Sequence, residues 1–424
     1  MFLFKKAKQN EIFIPDNKYK EINTLKASKL AKNALNSLSI LAGELGSRKA
    51  GSEETKKAAS MLATLFEPKA DSVVLSEDKV ILSTIDYIHK VIAISVPIIL
   101  LANLFSLSIL SSIVFGLVTY LYIYDTILLQ DNKIIKHKKA TMHNVHAIIE
   151  PRDPVEKTIV LTAHHDAARL FNPKVKSYFY LICLIHYIVL GIMSCLFFLY
   201  DLFTLEIFTI QFSFTFQTFI NILFILSSFI YYYLFNYLAD EYSPAIGDNL
   251  SSCCILTEIA NYFKFEKENT RPLNNTRLIF ASFDGEEIGL KGSSVWYKNN
   301  KDLLINAENI NLDTLYNEDS LYVLNQDANG FQELSKELAS KLSSYAHDMG
   351  YKAKAGKARF STGATDAVSA AREGVEAASI VALDNNSPLH TAEDTQDKIS
   401  PKVVEIVISI LIKYIKNNDQ KLIT

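Results

Sequence analysis

The chain has 424 residues, 49% of them hydrophobic, and a mean hydropathy of +0.12, which is high for a soluble enzyme. A net charge of −3 argues against nucleic-acid binding, which needs a basic surface. The four cysteines form neither a disulfide framework nor the spaced pairs of a zinc finger, and they agree with a reducing compartment. The charged N-terminus has no apolar segment after it, so no cleavable signal peptide is predicted.

The first part of the chain predicts helices followed by a strand. Residues 24–66 have a helical pattern with a Gly-rich break at Gly43-Glu-Leu-Gly-Ser-Arg, after which Ser52-Glu-Glu-Thr opens a second amphipathic helix. Residues 71–84 are typical of a strand. We assign residues 1–90 to the first part of the main domain.

Two long apolar segments follow, at 91–130 and 177–239. In the first, Asp125 and tyrosine phenols are the only ionisable groups over forty residues, about twice the roughly 20 that cross a bilayer as a helix. We predict spans at 91–107 and 109–129. The second segment predicts spans at 177–200 and 213–238, interrupted near Asp201 and Glu206. Since lipid cannot satisfy backbone groups, each segment is expected to form a transmembrane helical hairpin.

Buried core helices are the alternative, although a core helix seldom stays apolar on every face over such a length. The alternative is stronger for the second segment, which Gln211, Gln217, Asn221 and Asn236 make less apolar. His186 also lies in a predicted span. It is either a functional intramembrane residue or a neutral histidine that bonds a neighbouring helix.

Charge predicts the orientation of these spans. Basic residues lie just outside the spans on one side, and neither hairpin tip has any; they are Lys90, Lys133, Lys136, Lys138, Lys139, Arg169, Lys174 and Lys176. The positive-inside rule places this side in the cytoplasm. We therefore expect a four-span integral membrane protein in which the N-terminal region, 131–176 and 240–424 are cytoplasmic.

Outside the spans, short strands alternate with helices. Residues 144–149 and 158–163 predict two strands that a turn makes neighbours in a sheet. Asp248-Asn-Leu-Ser-Ser is expected to begin a helix that continues through Phe263, with Asp or Ser as a cap, and another helix is expected from Pro401 to Lys416. Further strands are predicted at 277–283, 309–313 and 378–383. Such alternation indicates a three-layer α/β/α sandwich with a mostly parallel central sheet, built from 1–90, 131–176 and 240–424.

Metal-binding residue types recur where these strands end. They occur in Ala-His-His-Asp-Ala, Gly-Asp-Asn, Asp-Gly-Glu-Glu-Ile-Gly-Leu, Asn-Leu-Asp and Leu-His-Thr-Ala-Glu-Asp-Thr, and the residues are His164, Asp166, Asp248, Glu286, Glu287, Asp313 and His390. Open α/β sheets place their sites at strand ends. Carboxylates mixed with imidazoles suit one or two zinc ions with room for a water. Residues two apart in a strand share a face, so Asp166 can bond His164 while His165 points away.

These motifs, in this order, resemble the M28 family of zinc peptidases, of the dizinc aminopeptidase type. The resemblance covers about 25–90, 131–170 and 240–420, and the Gly-Ser-Arg-x-x-Gly-Ser sequence at 46–52 adds to it. It implies a zinc-exopeptidase fold, a peptide substrate and two Zn²⁺ ions. The transmembrane hairpins are a departure from simple secreted relatives. They bring the site close to the bilayer, which favours membrane-derived or membrane-proximal peptides.

The resemblance also implies a role for each residue. Asp248 would bridge the two zinc ions, His164 and Asp313 would complete one site, and Glu287 and His390 the other. Glu286 would be the general base, and Asp166 would orient His164. No substrate-binding residue is assigned: Asp366 lies where relatives often have Ser-Asp and an aromatic residue, but the aromatic is absent here.

Other functions stay open at this point. A glutaminyl-cyclase-like transferase of the same fold would use a single zinc, and a carboxypeptidase would act on the other end of a peptide. Arg169 and Arg359 are candidates to meet a substrate carboxylate, although each is more typical of a surface charge. An inactive membrane scaffold or receptor is the alternative of another class, but the ligand set is complete.

Overall fold

The computed structural model describes residues 17–130, 138–204, 216–358 and 363–421, and these form two compact units. The sheet domain comprises Met1–Leu82, Lys138–Arg169 and Tyr242–Thr424, and the helical unit comprises Ser83–His137 and Leu170–Glu241. The chain therefore leaves the sheet domain twice and returns to it twice. Lys133, Lys136, Glu206, Gln211 and Arg359, which the sequence singles out, lie outside the described residues.

The described strands form a nine-stranded sheet and a separate pair. In chain order they are β1 (Ser72–Ile81), β2 (Lys139–Ile149), β3 (Lys157–His164), β4 (Arg169–Phe171), β5 (Leu238–Tyr242), β6 (Thr276–Phe283), β7 (Ala307–Leu315), β8 (Leu321–Asp327), β9 (Gln332–Glu333), β10 (Lys354–Lys357) and β11 (Glu376–Ala382). The order in the large sheet is β1-β2-β6-β3-β7-β11-β8-β10, with β9 paired to β8, while β4 and β5 pair with each other. The four central strands β6, β3, β7 and β11 are parallel, which confirms the predicted parallel centre. Antiparallel pairs lie towards the edges, where β1 meets β2, β2 meets β6 and β11 meets β8.

One predicted neighbour relation is wrong. The strands over 144–149 and 158–163 are not adjacent, because β6 lies between β2 and β3: Leu278 of β6 pairs with Ile149 on one side and Ile159 on the other. The turn between β2 and β3 passes over the start of β6 and bonds to the segment before it. Arg152 N donates to Leu273 O at 2.8 Å. The turn residues indicate that the chain reverses between β2 and β3, but they do not indicate that another strand lies between these two in the sheet.

The helices divide between the two units. Those of the helical unit are α3 (Ile88–Leu104), α4 (Ser108–Leu121), α5 (Ser177–Thr204), α6 (Phe216–Ser227) and α7 (Tyr231–Phe235). Those of the sheet domain are α1 (Asn17–Glu44), α2 (Glu53–Phe66), α8 (Ser251–Asn269), α9 (Lys291–Asn299), α10 (Lys336–Asp348), α11 (Ala367–Arg372) and α12 (Pro401–Lys421). As the sequence predicts, Ser52 caps α2, and it does so in a reciprocal capping box with Thr55.

Alternating side chains of the sheet pack against two helical layers. Leu161 and Phe280 belong to the core shared with α1, α2, α8, α10 and α12. Their chain neighbours Val160 and Ile279 belong to a second core with Trp296 of α9 and residues of α11. Since successive strand residues point to opposite faces, helices cover both faces of the sheet. Burying a side chain such as Phe280 contributes about 1.5–3 kcal/mol, so the two cores fix the sheet that carries the site.

The helical unit is apolar on its outside as well as its inside. Ile92, Val96 and Ile99 pack into its core, while large apolar side chains such as Ile185 and Leu196 are about half exposed. Among the described residues, three helical stretches are long and apolar enough to cross a membrane: Ser108–Ile127, Tyr178–Phe203 and Thr218–Phe235. Ile88–Leu104 is apolar but shorter.

Polar side chains in the helical unit bond to one another. His186 Nε2 lies 2.7 Å from Ser227 Oγ and His186 Nδ1 lies 3.0 Å from Tyr231 Oη, so this histidine bonds neighbouring helices. Asp201, at the predicted hairpin tip, is buried and accepts from Ser108 Oγ.

Candidate metal centre

Parallel strands end at one edge of the sheet and bring three of the sequence motifs there. His164 is the last residue of β3 and is paired with Phe283, the last residue of β6. Glu286 and Glu287 follow β6 directly, and Asp313 lies near the end of β7. The carboxyl ends of parallel strands are where open α/β sheets place their sites.

Asp248 lies just before α8, and its backbone is not helical. The sequence predicts that Asp248-Asn-Leu-Ser-Ser begins α8 with Asp or Ser as a cap; the helix begins at Ser251, and the peptide bond between Asp248 and Asn249 is cis. Asn249 Nδ2 donates to Leu312 O at 2.7 Å, which ties this segment to β7 beside Asp313. The Asp248 side chain is therefore free of a capping role and turns to the sheet edge.

Asp394 holds the same segment from the other side. Its Oδ1 accepts from Gly247 N at 2.8 Å and its Oδ2 accepts from Asp248 N at 3.2 Å. Gly247 is needed for this approach, because a Cβ there would lie 2.1 Å from the Tyr316 ring. Asp394 lies in the loop of His390, and its side chain bonds the backbone of Asp248, so it joins the segments of these two residues.

The two oxygens of Asp248 face different imidazoles. Asp248 Oδ1 lies 3.2 Å from His164 Nε2, and Asp248 Oδ2 lies 3.2 Å from His390 Nε2. Asp313 Oδ1 is 3.9 Å from His164 Nε2, and Glu287 Oε2 is 3.4 Å from His390 Nε2. The structure therefore brings together all five residues that the sequence predicts as ligands.

Among the described residues, three donor groups could hold a metal ion; one is His164, Glu286 and Glu287, and the other two share the Asp248 carboxylate. Donor atoms of His164, Asp248 and Asp313 lie within 4.8 Å of one another, and so do those of Asp248, Glu287 and His390. Glu286 lies at the side of the group that contains Asp313, with Oε2 4.0 Å from His164 Nε2. His390 is the most open of the imidazoles, with 27% of its side chain exposed, whereas that of His164 is 1% exposed.

Asp166 has more partners than the sequence predicts. Its Oδ1 lies 3.3 Å from His164 Nδ1, in agreement with an orienting role. Its oxygens also accept from Glu286 N at 3.1 Å and Glu287 N at 3.2 Å, so it holds the backbone of the Glu-Glu pair. His165 points away as predicted, with Nδ1 2.8 Å from Ser282 Oγ, and burial lowers its pKa to about 3.

The electrostatics of the cluster indicate a shortage of positive charge. Burial, together with repulsion from Glu287 and Asp313, raises the pKa of Glu286 well above its usual range. Burial raises the pKa of Glu287 to about 7, and it also raises the pKa of Asp313. For His164, burial favours a lower pKa, but Glu286 and the other carboxylates outweigh it and hold the pKa well above the ordinary value.

The donor set fits divalent zinc. Imidazole and carboxylate are zinc ligands, and a cation would relieve the repulsion among the buried acids. Glu287 Oε1 is buried and has no hydrogen-bond partner among the described residues, so it has a free coordinating atom. Cys253 does not belong to the set: its Sγ bonds His164 O and Ser282 Oγ, and burial raises the pKa of its thiol to about 11.

Two supporting residues are not evident from the sequence. Asp284, directly before Gly-Glu-Glu, is buried and accepts from Gly51 N, Thr55 Oγ1 and His143 N, so it fixes the β6 end to the start of α2. Arg48 is buried among main-chain carbonyls. Its position in the Gly-Ser-Arg-x-x-Gly-Ser sequence is the one signal that points to it.

Solved structures share this fold at low sequence identity. A leucine aminopeptidase precursor from Bacteroides thetaiotaomicron is 14% identical, with a TM-score of 0.54 and coverage of 91% of this chain and 97% of that one. A zinc aminopeptidase from Bacillus subtilis is 16% identical, with a TM-score of 0.52 and coverage of 91% and 95%. A glutaminyl cyclase from Bacteroides thetaiotaomicron is 14% identical, with a TM-score of 0.53 and coverage of 91% and 97%. The fold is therefore one that zinc aminopeptidases and glutaminyl cyclases have in common.

No curated protein sequence matches the chain. The model of Peptidase family M28 matches residues 234–415, which carry Asp248, Glu286, Glu287, Asp313 and His390. Over residues 234–415, the chain is therefore similar to the M28 family of zinc peptidases.

Proposed function

We propose that the protein is a membrane-anchored dizinc exopeptidase that removes residues from the amino end of peptides. The observation that carries this proposal is the shared carboxylate: Asp248 Oδ1 faces His164 and Asp248 Oδ2 faces His390, each at 3.2 Å. A carboxylate with one oxygen in each of two donor groups suits a pair of metal ions.

In this proposal the predicted roles are divided between two metal positions. His164 and Asp313 would hold one ion with Asp248, and Glu287 and His390 would hold the other. Bound zinc supplies Lewis-acid polarisation of the scissile carbonyl and a water whose pKa is lowered towards about 7.

Glu286 is the proton carrier. Its carboxylate lies beside the donor group that contains Asp313, 4.0 Å from His164 Nε2, and its main-chain N–H is fixed by Asp166. It accepts a proton from the attacking water at its free oxygen and returns it to the leaving amine. Glu287, whose side chain diverges towards His390, stays a ligand.

The charge of the site favours a free amino terminus over a carboxyl terminus. Two divalent ions would balance four of the five charges on Asp166, Asp248, Glu286, Glu287 and Asp313. Two more acids, Asp366 and Asp394, are buried and interact electrostatically with this cluster, and Arg48 balances one of them. The site therefore stays negative at full ionisation, which attracts an ammonium group and repels a carboxylate.

We further propose that the helical unit anchors the protein in a bilayer, with the sheet domain in the cytoplasm. Its outward apolar side chains and three membrane-length stretches support anchoring, and the basic residues beside the spans support the orientation. Substrates would then be membrane-proximal peptides. A reporter that is active only outside the cytoplasm, fused after Thr424, is expected to be inactive; activity would reverse the topology.

The central experiment measures metal content and hydrolysis together on the detergent-solubilised full chain. Free and N-acetylated aminoacyl substrates are compared for wild type, Glu286→Gln and the control Glu393→Gln, which changes an exposed side chain. We expect two zinc ions per chain in all three proteins. Only Glu286→Gln should lose hydrolysis, by about 100-fold or more, and acetylated substrates should resist. Unchanged hydrolysis in Glu286→Gln would contradict the mechanism.

A cyclase is the second candidate, because glutaminyl cyclases share the fold to the same degree. One zinc per chain and ring closure of an amino-terminal glutamine would favour it. Zinc binding without any turnover would favour an inactive scaffold.

A further inference from the structure

Arg48 is a completely buried guanidinium whose bonds all go to the main chain. Its Nε donates to His165 O at 2.7 Å, and its Nη2 donates to Ala245 O at 2.7 Å. Its Nη1 donates to Gly46 O and Pro244 O, each at 3.0 Å. No acceptor is a side chain, so these bonds fix backbone positions.

The acceptors belong to the two segments that carry His164 and Asp248. His165 lies between His164 and Asp166, and Pro244 and Ala245 precede Asp248 by four and three residues. The backbone completes this connection, since Ala167 N donates to Arg48 O at 2.8 Å and Ser243 N donates to Ala168 O at 2.8 Å. Arg48 therefore bonds both segments that flank residues 170–241, one before them with His164 and one after them with Asp248.

Chain connectivity alone cannot hold these two segments together. Residues 170–241 separate them, and all belong to the helical unit. Closing so long a connection costs entropy. β4 and β5 pair at its two ends, but these strands stop five residues from His164 and six residues from Asp248. Nevertheless His164 Nε2 and Asp248 Oδ1 lie only 3.2 Å apart. A bond network between the segments must set this distance, and the planar fork of an arginine can reach several carbonyls at once.

We propose that Arg48 is a positioning residue of the metal centre, which sets the spacing of His164 and Asp248 and thereby the metal affinity. The inference rests on the proposal that the cluster holds divalent metal. Lysine keeps the charge but concentrates its donors at one nitrogen, so it cannot reach carbonyls on both sides. Outer partners of metal ligands typically contribute about 10- to 100-fold in affinity, and we expect a loss of that size in Arg48→Lys.

A purely structural role would lower stability and leave metal affinity unchanged, so a matched control is needed. Lys69→Met is suitable because it also removes a largely buried cation: Lys69 Nζ lies 2.7 Å from Glu258 Oε1, and the Glu258 side chain is 3% exposed. Neither residue bonds a segment that carries a predicted ligand. The control should lower the melting temperature without a change in metal affinity.

Ser243→Ala is a second, milder variant, because the Ser243 hydroxyl holds Ala245, whose carbonyl accepts from Arg48 Nη2. Ser243 Oγ accepts from Ala245 N at 3.0 Å and donates to Thr391 O at 3.3 Å, so it joins the segment of Asp248 to that of His390. Its loss leaves no buried charge unpaired. We expect a smaller loss of metal affinity than in Arg48→Lys, with the fold retained.

The experiment titrates Co²⁺ and Zn²⁺ into metal-free full-length protein in detergent. The affinity and the visible Co²⁺ spectrum are recorded for wild type, Arg48→Lys, Ser243→Ala and Lys69→Met, each below its melting temperature. Weaker binding and an altered spectrum in the first two variants alone would support the inference. Arg48→Lys binding within threefold of wild type would overturn it. If Arg48→Lys does not fold, wild-type affinity in Ser243→Ala would overturn it.

This readout separates the two proposals. A wild type that binds no divalent metal would overturn the proposed function, whatever the variants do. A wild type that binds metal, with variants that bind it equally well, would overturn the role of Arg48 alone.

Discussion

At the scale of single residues, the site depends on carboxylates that each contact more than one partner. Asp248 faces two imidazoles, and Asp166 lies against one imidazole while accepting from two main-chain N–H groups. Such side chains are sensitive to a change of chemistry without a change of shape. Asparagine has one acceptor oxygen where aspartate has two, and its amide nitrogen repels the donors that aspartate accepts.

Asp166→Asn should therefore damage the centre without a change of volume. Glu286 N or Glu287 N would lose its acceptor, and His164 would lose the carboxylate beside its Nδ1. We expect about a 10- to 100-fold loss of kcat/KM or metal affinity. Peptidase kinetics and metal titration measure it, with the exposed Asp153→Asn as control. Wild-type values in Asp166→Asn would contradict the orienting role.

His146 predicts a pH dependence of stability away from the metal centre. It is 4% exposed in β2 and accepts from Trp296 Nε1 at 3.1 Å, and burial lowers its pKa to about 4. The unfolded chain, with a histidine pKa near 6.5, binds the proton first. The free energy of unfolding should therefore be level above about pH 6.5 and fall by up to about 1.4 kcal/mol per pH unit between about 6.5 and 4.

Urea unfolding at pH 7.5 and 5.0 measures this, and the single tryptophan, Trp296, is the fluorescent probe. His146→Gln should be less stable at pH 7.5 but lose less stability on acidification. The exposed His347→Asn serves as control and should keep the wild-type slope. An equal slope in His146→Gln would show that other groups cause the acid sensitivity.

At the scale of elements, strand ends and a short non-helical segment bring the ligands together. β3, β6 and β7 deliver His164, the Glu-Glu pair and Asp313 to one edge, as parallel strands do. Asp248 reaches the same edge because the backbone at Asp248 and Asn249 is not helical. Asp394 accepts from Gly247 N, and the Tyr316 ring lies close to Gly247, so this segment contacts residues far away in the chain.

Gly247→Ala tests this packing. The added Cβ would lie 2.1 Å from the Tyr316 ring and 2.8 Å from Asp394 Oδ1, so the segment that carries Asp248 must move. We expect a loss of about 1–3 kcal/mol in the free energy of unfolding, together with weaker metal binding. The control is Gly43→Ala in α1, where a Cβ would meet nothing within 4 Å, and it should be neutral or slightly stabilising. Equal stabilities of the two variants would argue against a tight fit at Gly247.

At the scale of the whole molecule, the sheet domain is assembled from three stretches of chain. Two stretches of the helical unit interrupt it, so His164 and Asp248 come from different pieces. Any divalent metal that both residues bind would connect these pieces in the folded state only. Metal binding is then a contribution to the stability of the sheet domain.

Metal removal should accordingly lower the melting temperature of the sheet domain. A ligand at about 1,000 times its Kd stabilises the folded state by about 4 kcal/mol. Chelation should therefore shift the Trp296 fluorescence transition down by several degrees, and zinc should restore it. Asp248→Asn, which removes the shared carboxylate, should be nearly insensitive to the chelator. A wild-type transition that chelation does not move would argue against metal in the folded state.

The sequence by itself determined the resemblance to M28 zinc peptidases, the parallel centre of the sheet and the identity of the clustered acids and imidazoles. It could do so because strand patterns and ligand residue types are local properties. Tertiary structure alone decided that β6 lies between β2 and β3 and that Asp394 holds the Asp248 backbone. It also decided that Arg48 bonds both segments of the site. Each of these contacts joins residues far apart in the chain. Each also uses main-chain N–H or C=O groups, and because every residue has such groups, no sequence motif indicates which of them will pair.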